Sequence, residues 1–319
     1  MNHPGTNAVP LPLPALLVIG GANMDIVAHT DTLLLRSDSN PGHVHCAAGG
    51  VARNVAHNLA LLGQRTALVS VLGQDAFGQT VLQATQAAGV DTRHCAQLSD
   101  AGTASYLSLH GPDGDMAVAV NDMAILERLD ANFLAPLATE LASASCLVLD
   151  CNLHEEALGF LLGDGFTVPV FVDAVSATKC QRLLPWLASV HTLKVNRLEA
   201  AALTGLTVTA LEEAQVAAKT LHRLGVRQVV LSLGQQGVAW CDAQGTTGFR
   251  AARRVPVLNT NGAGDALLAG LVYGHLQGWD LPRAVAWAMT CAEITLQSPT
   301  ANALDLSTVT VRARLTEAH

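Results

Sequence analysis

The chain has 319 residues, of which 50% are hydrophobic and 14% are charged, so a sizeable core is available for one large α/β domain or two small ones. The formal net charge is −8 and no basic run is present, which argues against nucleic acid as a partner. Seven cysteines are scattered without a CxxC pair, as is typical of a protein in the reducing cytoplasm. The apolar LPLPALLVIGGA near the start is too short to span a membrane, and no basic segment precedes it as in a signal peptide.

The first predicted strand covers residues 16–20 and follows a loose, proline-containing tail at residues 1–14. Its apolar run, LLVIG, is typical of a buried strand in a parallel sheet. Asn23 and Asp25 follow the carboxyl end of this strand, where open α/β sheets place their ligands. A polar turn would use the same residue types, so a binding site and a turn are equally compatible with the sequence here.

Two segments of short, half-polar runs, at residues 27–47 and 103–120, differ from the continuous apolar strands elsewhere. The second contains the turn Gly111-Pro112-Asp113-Gly114 between two alternating runs, which predicts a hairpin. We expect both segments to form a small sheet outside the main fold that covers a pocket as a lid. The exposed edges of such a sheet favour dimerisation.

Gly49 and Gly50 precede a helical pattern in GGVARNVAHNLALLG, residues 49–63. The glycine pair allows a small ligand to contact the backbone. Asn54, about one turn into the helix, can donate to and accept from hydroxyl groups. A core helix with a glycine cap and no ligand would have the same pattern.

From residue 146 onward, strand and helix patterns alternate, which predicts a βαβ series with a parallel sheet. Polar residues again follow the strand ends, among them Lys179, Asn196 and Glu199. Asn196 either caps the next helix or, together with Glu199, holds water bound to Mg²⁺ near phosphate groups. Lys179 either reaches a substrate or phosphate, or lies on the surface.

A second glycine turn, from Gly234 to Gly237, follows the apolar strand predicted at residues 228–233. Ser232 lies near the end of that strand. The turn either contacts a nucleotide or is an ordinary turn.

The segment NTNGAGDALLAGLVYGHLQG, residues 259–278, combines a glycine turn with a buried helix. Gly262, Ala263 and Gly264 lead into the helix, whose free N–H groups and dipole favour a phosphate or a developing anion. Asp265 lies in the first turn, where a carboxylate can accept a proton from a hydroxyl that attacks phosphorus. The alternative for so short a motif is that Asp265 only caps the helix.

In their order and spacing, Gly49-Gly50 with Asn54, Asn196 with Glu199, and the motif from Gly262 to Asp265 resemble the ribokinase-like (pfkB-type) carbohydrate kinases. The similarity runs from about residue 15 to the end, and further similarity lies in the passages SDSNPG (37–42), GGVARN (49–54), TASYLSL (103–109), VNDM (120–123) and DCN (150–152). The resemblance implies a single αβα domain of three layers over residues 15–319, with a mostly parallel central sheet and a small β-sheet lid. It also implies that the enzyme phosphorylates the hydroxymethyl group of a sugar with ATP and Mg²⁺, often as a homodimer through the lids.

Carried over position by position, the resemblance makes Asp265 the catalytic base and makes Gly262, Ala263 and Gly264 the anion hole. The nucleotide would contact Asn196, Ser232, Gly234, Gly237, Gly262 and Gly264, and Glu199 would contact Mg²⁺ indirectly through water. The residues expected to bind a small riboside substrate are Asn23, Asp25, Ser39, Asn40, Gly49, Gly50, Asn54, Thr103, Ser105, Asn121 and Lys179. Those in or next to the lid segments would bind the base, for which a kinase of free ribose has no use; they are Ser39, Asn40, Thr103, Ser105 and Asn121.

Some positions depart from the family pattern. Asn259 stands where ribokinases often have an aspartate that helps to bind a monovalent cation, and a neutral amide is a weaker ligand for K⁺, so activation by K⁺ is left open. Asn261 stands where the family usually has threonine before GAGD, and Ala174 follows Asp173 where proline is common. Neither departure removes a reacting group.

The sequence therefore predicts in-line transfer of the γ-phosphoryl group of ATP to the 5′-hydroxyl of a riboside. A ribokinase or another nucleoside kinase of the same family is the alternative among enzymes. A riboside-binding regulator without catalysis is the alternative from a different class. Asp265 and the glycine turn argue against the regulator, because a protein that only binds needs no positioned base.

Overall fold

A central sheet of nine strands organises the structure, a computed structural model that describes residues 16–163 and 165–316. The predicted tail at residues 1–14 lies outside the described residues. The strands of both sheets, in chain order, are β1 (Leu16–Ile19), β2 (Asn23–Thr30), β3 (Gly42–Gly49), β4 (Thr66–Gly73), β5 (Asp91–Leu98), β6 (Ser105–His110), β7 (Met116–Asp122), β8 (Leu147–Asp150), β9 (Val170–Asp173), β10 (Thr192–Asn196), β11 (Gln228–Ser232), β12 (Gly237–Cys241) and β13 (Thr247–Ala251).

The order across the central sheet is β13-β12-β11-β10-β9-β8-β1-β4-β5. Neighbouring strands from β11 to β5 are parallel, whereas β12 and β13 join this sheet antiparallel. The carboxyl ends of β1, β8, β9, β10 and β11 therefore meet at one edge of the sheet, where the candidate site residues of these strands lie.

The α-helices of the described residues are α1 (Val51–Leu61), α2 (Ala76–Ala87), α3 (Ala131–Leu134), α4 (Ala138–Ser143), α5 (Glu155–Leu162), α6 (Arg197–Thr204), α7 (Leu211–Arg223), α8 (Ala263–Leu276), α9 (Leu281–Leu296) and α10 (Thr308–Thr316). Between β9 and β10, where the alternating pattern predicts a helix, Lys179–Ser189 is a 3₁₀ segment that contains Pro185. Proline lacks the N–H that an α-helix needs at such a position. None of the described helices combines the length and the apolar character that crossing a membrane requires.

Alternate residues of the central strands pack against two separate layers of helices. Leu17 and Ile19 of β1 belong to a core shared with α5, α6 and α7. Leu16 and Val18 face the other way, into a core shared with α1 and α8. Because successive strand residues point to opposite faces, both faces of this sheet are covered. The structure is the predicted αβα fold of three layers.

The predicted small sheet is present and has the strand order β3-β2-β6-β7. It begins earlier and ends later than the half-polar segments suggest, because Asn23 and Asp25 belong to β2 and Gly49 ends β3. The alternative of a simple polar turn at Asn23 and Asp25 is therefore wrong. Both residues lie on β2, which follows β1 after a short loop and belongs to the small sheet.

Candidate active site

Helix α8 begins at the glycine turn that the sequence predicts. Gly262 precedes the helix with φ 79°, in the left-handed region that favours glycine. A Cβ atom at Gly262 would lie 2.0 Å from the carbonyl oxygen of Ala301, so a larger residue would displace the turn. The first N–H groups of α8 have no partner within the helix, and together with the helix dipole they suit an anion.

Asp265 lies in the first turn of α8, and only 9% of its surface is exposed. It does not cap the helix, since Gly262 occupies the capping position and no side chain bonds to the free N–H groups there. Burial and the nearby Asp173 raise the pKa of Asp265 to about 7, although Asn54 and Lys194 oppose this shift. A carboxyl group with this pKa can accept a proton near neutral pH, as a general base must.

Asn54 of α1 donates from Nδ2 to Oδ2 of Asp265 at 2.8 Å. The backbone of Asn54 is itself held, because Nδ2 of Asn302 donates to its carbonyl oxygen at 3.1 Å. Nδ2 of Asn302 also donates to Oδ1 of Asn58 at 2.9 Å, and Oδ1 of Asn302 accepts from the buried Arg53 at 2.6 Å. This network joins the start of α1 to α8 and fixes the direction of the Asp265 carboxylate.

Lys194 of β10 lies under the first turn of α8. Its Nζ donates to Oδ2 of Asp173 at 3.0 Å, and a Cβ atom at Gly264 would lie only 2.9 Å from the same Nζ. Burial alone would lower the pKa of Lys194, but Asp173, Glu199 and Asp265 raise it above its ordinary value. A buried cation beside the positive end of a helix is unfavourable unless anions offset it. Lys194 is thus a positive charge beside the predicted anion site.

Asn23, Asp25, Gly49 and Gly50 lie together where the small sheet meets α1. Nδ2 of Asn23 donates to Oδ1 of Asp25 at 2.6 Å, and a Cβ atom at Gly49 would lie 2.1 Å from the Asp25 carboxylate. Burial raises the pKa of Asp25, while the bond from Asn23 and the charge of Arg53 act in the opposite direction. Gly50 has φ 99° and approaches the carbonyl oxygen of Gly21, so the chain needs glycine here.

The register of the small sheet separates the predicted lid residues. Asp25 pairs with Tyr106, and Tyr106 pairs with Asn121, so these three side chains share one face. Ser105 pairs with Met24 on the opposite face, where Met24 is buried against the core of α1 and α8. The register thus places Tyr106, rather than the predicted Ser105, beside Asp25 and Asn121.

Three other predicted lid residues make hydrogen bonds to nearby parts of the chain. The Asn40 amide accepts from the N–H of Leu35 at 2.8 Å and donates to the carbonyl oxygen of Leu35 at 3.0 Å. The backbone N–H of Ser39, an exposed residue, donates to Asp38. The Thr103 hydroxyl donates to Oδ1 of Asp75 at 2.7 Å. Asn121, by contrast, lines a cavity.

A cavity of about 410 Å³ lies beside Asn121, between the end of β7 and the end of β8. Asn152, Lys179 and Arg182 line its other side. Nζ of Lys179 donates to Oδ1 of Asn152 at 2.6 Å, so this lysine does not extend freely into solvent. Asp122 and Glu127 add carboxylates, and the cavity therefore offers both donors and acceptors to a polar ring.

Asn196 and Glu199 form the capping arrangement of α6. Oδ1 of Asn196 accepts from the N–H of Glu199 at 3.0 Å, and Oε2 of Glu199 accepts from the N–H of Asn196 at 2.7 Å. Nδ2 of Asn196 also donates to Oε1 of Glu199 at 2.7 Å, so both carboxylate oxygens of Glu199 accept from Asn196. Glu199 is 1% exposed, and burial raises its pKa against the effect of Lys194. Within residues 16–163 and 165–316, no cluster of three metal-ligating side chains is present.

A second cavity, of about 890 Å³, opens beside the other side of the α8 N-terminus. Ser232, Gly234, Gly237 and Gly264 line it together with an apolar wall. The apolar wall includes Val238, Leu267, Met289, Ala292 and Leu296. A cavity that combines apolar surface with glycine backbone beside a helix N-terminus suits a nucleotide and its phosphates.

Asn259 is held within its own loop. Its Oδ1 accepts from the N–H of Asn261 at 2.9 Å, and its Nδ2 donates to the carbonyl oxygen of Pro299 at 3.2 Å. The amide therefore orders the loop before α8.

Lys194, Asp150 and Asn152 are not among the site residues that the sequence predicts. All three lie at or near strand ends, as the predicted site residues do. That pattern was visible in the sequence, but the contacts that distinguish them from ordinary strand ends depend on the packing of α8 and of the loop after β1.

Comparison with known proteins identifies the family of the chain. The model of the pfkB family of carbohydrate kinases matches residues 14–308. The chain is 40% identical over 296 residues to the pseudouridine kinase of Escherichia coli, covering 93% of this chain and 95% of that relative. A carbohydrate kinase from Agrobacterium tumefaciens superposes with a TM-score of 0.82 at 27% identity, covering 95% of this chain and 97% of the other. For the fold alone, Arabidopsis thaliana ribokinase with ribose and ATP gives a TM-score of 0.84 at 22% identity, covering 95% and 99%. The protein is a kinase and belongs to the pfkB family of carbohydrate kinases.

Proposed function

We propose that this kinase transfers the γ-phosphoryl group of ATP to the 5′-hydroxyl of pseudouridine, giving pseudouridine 5′-phosphate and ADP. The observation that carries the proposal is the buried Asp265 in the first turn of α8, next to Gly264, which lines the nucleotide-sized cavity. A carboxylate in this place is suited to deprotonate a hydroxyl while the adjacent N–H groups receive a phosphoryl group.

The proton transfer would proceed on Asp265. Its pKa of about 7 leaves a large part of it ionised at neutral pH, ready to accept the proton of the attacking hydroxyl. Asn54 holds one carboxylate oxygen at 2.8 Å and leaves the other to face the substrate. The hydroxyl oxygen would then form its bond to phosphorus as the bond to the leaving ADP oxygen breaks.

Charge on the transferred phosphoryl group would be stabilised by the N–H groups at Gly262, Ala263 and Gly264, and by Lys194 beneath them. Glu199 and Asn196 are suited to hold the water shell of Mg²⁺, because their oxygens lie at the end of β10 next to this position. Bound Mg²⁺ would supply further positive charge to the phosphates. Ser232, Gly234 and Gly237 would contact the rest of the nucleotide.

The riboside would lie across the edge of the sheet with its ribose near Asn23, Asp25, Gly49, Gly50 and Asn54. Carboxylate and amide groups are the usual partners of sugar hydroxyls. The small sheet covers this edge and would exclude water during transfer.

Two observations support pseudouridine as the proposed riboside. The Escherichia coli relative at 40% identity is a pseudouridine kinase. The base of pseudouridine also carries two N–H donors beside two carbonyl acceptors, since its link to ribose is a carbon–carbon bond. The cavity of Asn121, Asp122, Asn152 and Lys179 offers groups of both kinds. A ribokinase or another nucleoside kinase of the family is the second candidate, because both would need the same residues to bind ribose.

The protein would act as a homodimer through the small sheets. On the face opposite Asp25, Val44, Leu107, Val118 and Val120 are 68%, 40%, 49% and 60% exposed. A row of apolar side chains on an open sheet favours pairing with a second copy.

The proposal is tested by incubating the protein with ATP, Mg²⁺ and pseudouridine and identifying the product by phosphorus NMR. We expect a phosphate ester coupled to the two 5′ protons, in equal amount to ADP. Formation of ADP that does not depend on a riboside, or an ester at a ring hydroxyl, would contradict the proposal.

A further inference from the structure

We propose that Asp150 is a positioning residue that holds the two riboside-binding segments, the β1–β2 loop and the start of α1, in their relative places. This rests on the proposed function, since it assigns riboside binding to Asn23, Asp25, Gly50 and Asn54. Asp150 itself ends β8 and is not expected to touch the substrate, because it is 1% exposed.

The carboxylate of Asp150 accepts three backbone hydrogen bonds from three different segments. Oδ2 accepts from the N–H of Gly21, before Asn23 and Asp25, at 2.9 Å. The same oxygen accepts from the N–H of Ala52, in the first turn of α1, at 2.9 Å. Oδ1 accepts from the N–H of Asn152 at 2.9 Å. One oxygen atom therefore joins segments that lie far apart in sequence, and both carry predicted riboside ligands.

The glycines of the β1–β2 loop are shaped around this carboxylate. A Cβ atom at Gly20 would lie 2.6 Å from the Asp150 carboxyl carbon, and one at Gly21 would lie 2.9 Å from Nδ2 of Asn152. The backbone can approach Asp150 this closely only because it carries no side chain there. The Gly20-Gly21 pair thus has a specific partner.

Charge matters as well as shape. Burial raises the pKa of Asp150, while the three N–H donors favour its ionised form. An asparagine amide in its place has only one acceptor oxygen. Its NH₂ group would face a backbone N–H, which would then lack an acceptor. Since an unsatisfied buried donor is unfavourable, the amide should loosen the joined segments without removing volume.

Asp150 is also connected to the predicted base cavity, through Asn152. Asn152, whose backbone Asp150 holds, accepts at Oδ1 from Nζ of Lys179 at 2.6 Å. None of the residues that donate to Asp150 lines the nucleotide cavity. A change at Asp150 should therefore affect the riboside and leave the nucleotide alone, whereas a general loss of stability would affect both.

The test is Asp150→Asn, with KM for pseudouridine and for ATP measured separately and ATP affinity also measured by equilibrium binding. We expect KM for the riboside to rise about tenfold or more, with ATP affinity within about twofold of wild type. Riboside and ATP constants that change in the same proportion, or a riboside KM that does not change, would overturn the proposal. If Asp150→Asn is insoluble, Gly21→Ala is measured instead, with the same direction expected and the same contrary outcomes.

Asp242→Asn is the matched control. Its carboxylate also accepts two backbone bonds, from Gln244 at 2.9 Å and Thr246 at 2.8 Å, in the turn between β12 and β13. We expect it to leave both KM values unchanged. The wild-type protein is assayed first: if it phosphorylates another sugar instead of pseudouridine, the proposed substrate is wrong, and Asp150 is judged on the sugar that is accepted.

Discussion

Asn54 and Asp265 lie 211 positions apart in the sequence and are joined by a hydrogen bond of 2.8 Å at the centre of the candidate active site. The bond connects α1, which begins at the predicted riboside-binding glycines, with α8, whose N-terminus faces the nucleotide cavity. The proposed base is therefore positioned by the element that would bind its substrate.

Asp265→Asn should lower kcat by about 10² to 10⁴, the range for loss of a general base. Nucleotide binding should be retained, because the N–H groups of the α8 N-terminus are unchanged by the substitution. Steady-state kinetics and calorimetric titration with ATP measure the two effects. Near-normal turnover by soluble, folded Asp265→Asn would exclude Asp265 as the base.

The activity should depend on the ionisation of Asp265. With a pKa of about 7, kcat/KM should fall about tenfold per pH unit below that value and level off above it.

Lys194→Met should move the acid limb of the pH profile of kcat/KM to higher pH, because the Lys194 charge lowers the pKa of Asp265. Lys219→Met, on the exposed side of α7, serves as the control and should leave the limb in place. An unshifted limb in Lys194→Met would contradict the electrostatic role of Lys194.

Asp265 should also destabilise the folded protein at neutral pH. Its pKa is raised from 3.8 to about 7, so the folded state binds its proton more tightly, and stability is lost as pH rises between these values. Asp265→Asn removes this penalty and should raise Tm by more at about pH 8 than at about pH 5. Thermal unfolding at both pH values measures the difference. An equal or smaller gain at the higher pH would show that Asp265 is not held in a site that disfavours its charge.

The exposed valines of the small sheet should stabilise a dimer. We expect the wild-type protein to sediment as a dimer at micromolar concentration and Val120→Glu to shift it toward monomer. Val216→Glu is the control, because Val216 is 56% exposed on α7, away from the small sheet. A wild-type monomer, or equal effects of both substitutions, would contradict dimerisation through this face.

Local sequence patterns predicted the parts of the site that depend on a few consecutive residues. The turn at Gly262 and the position of Asp265 follow from a glycine motif that runs into an apolar helix. Asn196 and Glu199 likewise have the spacing of a capping pair, and the structure shows this pair in addition to its place at the end of β10.

Contacts between distant segments could not be predicted in the same way. Lys194 reaches Gly264 only because of the face of β10 on which it lies and the way α8 packs there. The face of the small sheet on which Ser105 lies depends on the strand register, because a shift of one residue along β6 exchanges Ser105 for Tyr106. Asn40 was predicted as a ligand because it is a polar residue in a lid segment, and its bonds to Leu35 depend on the conformation of the loop.

The central claim is tested most directly by kcat/KM for pseudouridine, uridine and ribose under one set of conditions, for the wild type and for Asn121→Ala. A site that hydrogen-bonds the base can reject analogues without the matching groups by about 10⁴. We therefore predict a value for pseudouridine well above those for uridine and ribose, and a smaller preference in Asn121→Ala with ATP affinity retained. Comparable values for ribose and pseudouridine in the wild type would contradict the account and leave only a sugar kinase of the family.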